Sequence, residues 1–215
     1  MPKTYPVSLI LSRRPCLVVG GGSVAERKVL SLLACGAKVK VVSPTLTQTL
    51  REVAEKGEIS YRQGEYETAD LDGIFLVIAA TDRDEVNHRV AVEAMARNML
   101  VNVVDDPPHG NFYVPAVVRR GSLQIAVSTD GKSPLLARKI KEELEERYGP
   151  EYGFLVDLLG EIRHDILDNT ADPRKRRDSL TAILDDQVLQ LLARGELEQA
   201  KERVINAYHR GRSQP

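Results

Sequence analysis

The sequence predicts an α/β chain: a Rossmann-type doubly wound parallel sheet, then a small α/β region and a helical C-terminal region. Three observations predict it. A glycine turn, Gly20-Gly21-Gly22, stands between a strand-like apolar run and a helix-like one. Short β-branched runs then alternate with segments of helical periodicity as far as residue 104. Beyond the Pro-rich segment 105–110 this rhythm stops, and from Pro150 onward the apolar spacing is helical.

Taken in order, residues 16–20 read as a strand, 24–33 as a helix stopped at Gly36, and 38–42 as a second strand, which makes a βαβ unit. A helix over 45–56 closes at Gly57, and a short strand follows over 59–63. The near-continuous apolar run 73–80 suits a central parallel strand covered on both faces. Within 82–98, Val86, Val90, Ala94 and Met95 recur at helical spacing, and 100–104 returns as a strand. Past the Pro-rich break, 112–118 and 122–128 flank the turn Arg119-Arg120-Gly121 as a strand pair, and a turn at 130–134 opens a helix over 135–147. Helices over 154–167, 177–192 and 197–208 complete the chain, with the last ten residues expected to fray. The expected division is 1–112, 113–148 and 149–215.

Composition narrows the function classes. The chain has 215 residues, 42% of them hydrophobic, which allows one nucleotide-binding domain and a smaller appendage. Thirty Lys and Arg against 31 Asp and Glu leave a formal charge of −1, which points neither to nucleic acid nor to an anionic membrane. No apolar stretch approaches the ~20 residues that cross a bilayer, and the N-terminus has no cleavage-site pattern, so a cytoplasmic protein is expected. Cys16 and Cys35 match neither a disulfide framework nor a CxxC metal site and read as buried thiols. His88, His109, His164 and His209 lack the spacing of a metal site, so no metal is expected.

Gly20-x-Gly22-x-x-Ala25 is the motif with most chemical content. Its glycines permit a tight turn and let the backbone approach a pyrophosphate at a helix N-terminus, while Ala25 is small enough for helix-to-strand packing. A tight βα turn with no ligand is the plainer alternative. The fingerprint usually places Asp or Glu about 20 residues on, at the end of the second strand, to hold the ribose 2′-OH. Here that place is Ser43-Pro44-Thr45, with neither a carboxylate nor a cation, and the lack of a cation favours NAD over NADP. Two further strand ends point at the same crevice, one at Thr81-Asp82 and one at Asp105. Asp105 there is either a general base, with its proton affinity raised by Asp106, or a turn former before proline. Arg119, Arg120, Lys132, Arg138 and Lys139 read either as partners of an acidic ligand or as solvated charges.

Four segments in this order, VVGGGSVAERK at 18–28, AATD at 79–82, VNVVD at 101–105 and AVSTDGKSPLLAR at 126–138, carry a more specific likeness. Together they resemble the precorrin-2 dehydrogenase and sirohydrochlorin ferrochelatase family, which includes the N-terminal part of siroheme synthases. The likeness is close over residues 5–148. It implies a homodimer with an NAD-binding domain over 1–112, a dimerisation region over 113–148 and a helical domain over 149–215. It also implies NAD-dependent oxidation of precorrin-2 to sirohydrochlorin, with ferrous iron insertion following in some relatives. Gly22, Ser23 and Val24 match the pyrophosphate turn, Ser43, Pro44 and Thr45 the adenosine side, and Asp105 the catalytic aspartate. Where many members carry Cys-Asp before the Phe that follows the Pro loop, this chain has Gly110-Asn111 before Phe112. Two other readings compete: an NAD(H)-binding regulatory domain without turnover, and a chelatase that has lost the cofactor.

Overall fold

A computed structural model describes residues 3–104 and 106–212. The chain divides into two compact units, the first ending at Val114 and the second beginning at Pro115. In the first unit, β1 (Pro15–Val19), β2 (Lys38–Ser43), β3 (Ile59–Gln63), β4 (Leu76–Ala79) and β5 (Leu100–Val103) form one sheet in the order β3-β2-β1-β4-β5. Every pairing is parallel. The chain leaves β1 toward β2 and β3, then returns to β4 on the other side, so strand order reverses between β1 and β4. That reversal opens a crevice at the carboxyl ends of the two strands.

Strand alternation builds a core on each face. Cys16 and Val18 of β1 face one way with Val41 and Ile78, under helices α1 (Ser23–Leu33) and α2 (Gln48–Glu55). Leu17 and Val19 face the other way with Val42, Val77 and Val101, under α3 (Asp84–Ala96). The α1 positions 25, 29 and 32, one helical stripe, supply its buried residues Ala25, Val29 and Leu32. Cys16 is wholly buried, and burial together with nearby Cys35 pushes its thiol up to about 11, so it stays protonated and inert. Cys35 is only half-buried.

Several element bounds differ from expectation, each for a local reason. The apolar run at 73–80 yields a strand only from Leu76, because a 3-10 turn (Thr68–Leu71) and a left-handed Gly73 (φ +73°) precede it. The buried face of α3 is Asn87, Val90, Ala91 and Ala94, with Met95 exposed. Asn87 turns inward to hydrogen-bond the end of β4. In the second unit, β6 (Ala116–Arg120) and β7 (Leu123–Val127) form an antiparallel pair, followed by α4 (Pro134–Arg147) and α5 (Glu151–Asn169). The single helix expected over 177–192 is two helices, α6 (Pro173–Ile183) and α7 (Asp186–Ala193). Asp185 separates them by accepting the Val188 N–H at 3.0 Å as the cap of α7. The last helix, α8 (Leu197–Arg212), continues through most of the segment expected to fray.

A buried carboxylate braces β2 and β3. Asp70, 4% exposed, accepts Lys40 Nζ at 2.9 Å, Arg62 Nε at 2.8 Å and the Glu67 N–H at 2.9 Å, and also pairs with Arg62 Nη2. Burial alone pushes this carboxyl up, but the Arg62, Glu67 and Lys40 contacts outweigh it and hold it down to about 2. The folded-state value lies below the ordinary 3.8, so the stabilisation is present above pH ~4 and is lost as pH falls toward 2. Asp70→Asn is expected to cost about 2 kcal/mol at pH 7, and urea unfolding should show the variant and wild type converging between pH 4 and 2. Equal stability at pH 7 would remove the brace from the account.

Candidate functional site

The crevice at the β1–β4 switch point is shaped by three glycines with three different duties. Gly20 has φ +123°, and a Cβ there would lie 2.2 Å from the Ala80 carbonyl oxygen. A Cβ on Gly21 would lie 2.0 Å from the Thr45 carbonyl oxygen and 2.7 Å from Ser43 Oγ. Gly22 differs from both: its φ is −83° and a Cβ would meet nothing within 4 Å. Gly22 is the N-cap of α1, and no side chain caps the helix there. The first-turn N–H groups are therefore left without a side-chain cap beside open space at Gly22, the arrangement that receives an anion.

The resulting cleft measures about 360 Å³, within the range of small-molecule pockets. Its walls are residues 20–22, the β2 exit at 43–45, the β3 exit at 64–66, the β4 exit at 80–83, and Val86. Gly20, Gly22, Ser43, Pro44, Thr45 and Thr81 are thus brought together. Ser23 and Val24 are not wall residues; they form the first turn of α1 behind Gly22. Asp105 lies outside the described residues.

Hydrogen bonds fix each wall. Ser43 is buried, and its carbonyl accepts from Tyr61 Oη at 2.9 Å and from the Gly64 N–H at 3.2 Å. The Thr47 N–H donates to the Gly21 carbonyl at 2.9 Å, tying the β2 exit to the glycine turn. Thr81 is held by Asn87, whose Oδ1 accepts from the Thr81 N–H at 3.1 Å and from its hydroxyl at 2.8 Å, while Asn87 Nδ2 donates to the Thr81 carbonyl at 3.0 Å. The Thr81 side chain therefore builds the wall, with its hydroxyl already engaged. Tyr66, buried beneath the cleft, donates to Glu93 at 2.7 Å; burial and this bond push its hydroxyl above its ordinary range.

Sequence reasoning missed Glu65, Tyr66, Arg83 and Asn87. The exit of β3 went unread because the fingerprint directs attention to β1 and β2. Asn87 carried one usable signal, a polar residue at a position in phase with Val90 and Ala94 on a helix expected to bury its apolar stripe.

Past β5, Asp106 is engaged by His109, with Oδ2 and Nδ1 2.6 Å apart, and the His109 ring stands edge-on to His88 at 4.9 Å. Asn111 seals the outer edge of β5: its Oδ1 accepts the Val101 N–H at 2.8 Å, its Nδ2 donates to the Met99 carbonyl at 2.8 Å, and its own N–H donates to the Val101 carbonyl at 3.0 Å. In the second unit Arg120 donates to the Tyr148 and Glu145 carbonyls, and Arg138 pairs with Glu142 at 2.8 Å. Among the described residues no group of three or more His, Cys, Asp or Glu is arranged to hold a metal ion, and no helix is long and apolar enough to cross a membrane.

Comparison with known proteins supplies the family. Residues 7–116 match a family model described as NAD(P)-binding, 120–147 one described as sirohaem biosynthesis protein central, and 151–207 one described as sirohaem synthase dimerisation region. A solved structure titled SirC, precorrin-2 dehydrogenase, is 35% identical with a TM-score of 0.76, covering 93% of this chain and 100% of that one. The chain belongs to the precorrin-2 dehydrogenase and siroheme synthase family. Among the curated members, the siroheme synthase of Photobacterium profundum is 41% identical over 201 residues, and that of Methylobacillus flagellatus 43% identical over 191. Those alignments take in 94% and 87% of this chain but only 43% and 41% of the relatives, so the chain spans about two fifths of their length.

The glycine geometry yields a test by stability. Gly21→Ala must displace backbone at Thr45 and is expected to lose about 3 kcal/mol or more, whereas Gly22→Ala should stay within about 1 kcal/mol of wild type. Equal losses in thermal or urea unfolding would contradict the assignment of Gly22 to open space.

Proposed function

We propose that this chain oxidises precorrin-2 to sirohydrochlorin with NAD as hydride acceptor, acting in the cytoplasm as a homodimer. One observation carries the reading: the uncapped N-terminus of α1 behind a glycine whose side-chain position opens into the cleft. The likeness to the SirC structure over its full length supports the substrate. The match to a dimerisation-region model supports the homodimer, and two cysteines that remain thiols suit a reducing compartment.

The residues present fit the dinucleotide. When bound, it supplies the hydride-accepting ring. Gly20 and Gly22 let the pyrophosphate approach the backbone, the N–H groups of Ser23 and Val24 receive its charge, residues 43–45 flank the adenosine side, and the wall at Thr81 excludes water beside the reacting end. Asp105, two positions beyond the last residue of β5 in sequence, is proposed as the general base. Loss of hydride from the macrocycle leaves a cation that is quenched only when a proton departs, and a carboxylate is the acceptor. The proposed segments are 1–112 for NAD binding, 113–148 for the dimerisation region and 149–215 for the helical domain.

Ferrous iron insertion into sirohydrochlorin is a second reading, favoured by relatives named for siroheme. It releases N–H protons and calls on the same base. Incubation with sirohydrochlorin and ferrous ion in the absence of NAD separates the two, since only chelation proceeds there.

Two variants test the main reading. Gly22→Asp puts a negative charge where the pyrophosphate enters and should abolish NAD binding by calorimetry without loss of fold. Asp105→Asn should lower kcat for NADH formation by about 10²–10⁴ with NAD affinity kept. Full activity in a folded Asp105→Asn protein would transfer the proton to another group.

A further inference from the structure

The carboxylate missing from the end of β2 has a counterpart on the next strand. β3 pairs with β2 in parallel, Gln63 opposite Ser43. Gly64 then turns with φ +145° while its N–H donates to the Ser43 carbonyl at 3.2 Å. Glu65 therefore emerges beside the β2 exit and joins the cleft wall. Arg83, from the β4 exit, is in the same wall, and its Nη1 donates to Glu65 Oε2 at 3.0 Å.

Both residues stand on anchored backbone. The Glu65 carbonyl accepts from Arg62 Nη2 at 2.7 Å, and Arg62 is clamped by buried Asp70. The Arg83 N–H donates to Thr81 Oγ1 at 3.2 Å, and Thr81 is locked by buried Asn87. The two charged heads remain largely in solvent, 66% and 55% exposed, so their pairing adds little to stability. What the anchoring sets is where a negative and a positive charge stand relative to a ligand in the cleft. Among the described residues, Glu65 Oε1 takes no hydrogen bond, and it is a free acceptor on the cleft wall.

We propose that Glu65 selects NAD over NADP: Oε1 accepts a hydroxyl of the adenosine ribose, the carboxylate repels a 2′-phosphate, and pairing with Glu65 keeps Arg83 from receiving that phosphate. The inference rests on the dinucleotide reading of the cleft and assigns its specificity to a residue one strand away from the usual place.

Calorimetric titration of the full chain with NAD and with NADP tests it without any need for turnover. Wild type should bind NAD at least about tenfold more tightly. In Glu65→Gln the repulsion is gone and Arg83 is released, so NADP should tighten by about tenfold or more while NAD weakens, bringing the ratio near unity or reversing it. Arg83→Ala leaves the carboxylate unpaired and should widen the preference for NAD further. A wild-type ratio near unity, or an unchanged ratio in Glu65→Gln with NAD still bound and an unaltered melting temperature, overturns the assignment and leaves the pair a surface contact. If wild type binds neither nucleotide, the cleft reading fails first and this inference with it.

Discussion

How closely β1 can approach the end of β4 governs the first unit. At Gly20 the backbone comes so near the Ala80 carbonyl that any side chain would occupy the same space, so the two strand ends meet only because residue 20 has no Cβ. Parallel sheets place the reversal of strand order where two such ends diverge. Here the divergence is kept small enough to form a walled cleft. The same approach sets the path of the turn through Gly21, packed under the β2 exit, to Gly22, where α1 begins with its N–H groups uncovered.

Two buried polar side chains then convert a generic crevice into one with defined walls. Asp70 gathers Lys40 and Arg62 and, through Arg62, positions residue 65; Asn87 gathers Thr81 and, through it, residue 83. Among the described residues no buried side-chain polar atom lacks a partner, which is why both are tolerated in an apolar setting. Neither touches the cleft itself. Their role is to hold strand exits, which would otherwise be free loops, to within hydrogen-bond tolerance.

Much of this was legible in the amino-acid order, because period-two and period-3.6 patterns report directly on burial. All five strands of the parallel sheet, the glycine turn and the β2 exit at Ser43 follow from local pattern. The pieces that were not legible depend on contacts between distant residues. Glu65 reaches the cleft only because β3 lies beside β2, and Arg83 only because β4 lies beside β1. The inward turn of Asn87 answers backbone groups of Thr81 that no helical periodicity describes. Asp185 divided an apparently continuous helix by capping, a competition between side chain and backbone that apolar spacing does not register. The sites read most surely were those where one residue's own geometry is the constraint, and the ones missed were those where a neighbour imposes it.

The closure of β5 by Asn111 has a consequence for how the chain is made. An edge strand with unpaired N–H and C=O groups is a template for association with other chains. On β5 the cover comes from a residue ten positions downstream of Val101, not from another strand. During synthesis the edge therefore stays open only until those ten residues have emerged, roughly 0.5–2 s at ribosomal rates. The β5 edge is thus covered from within the first unit.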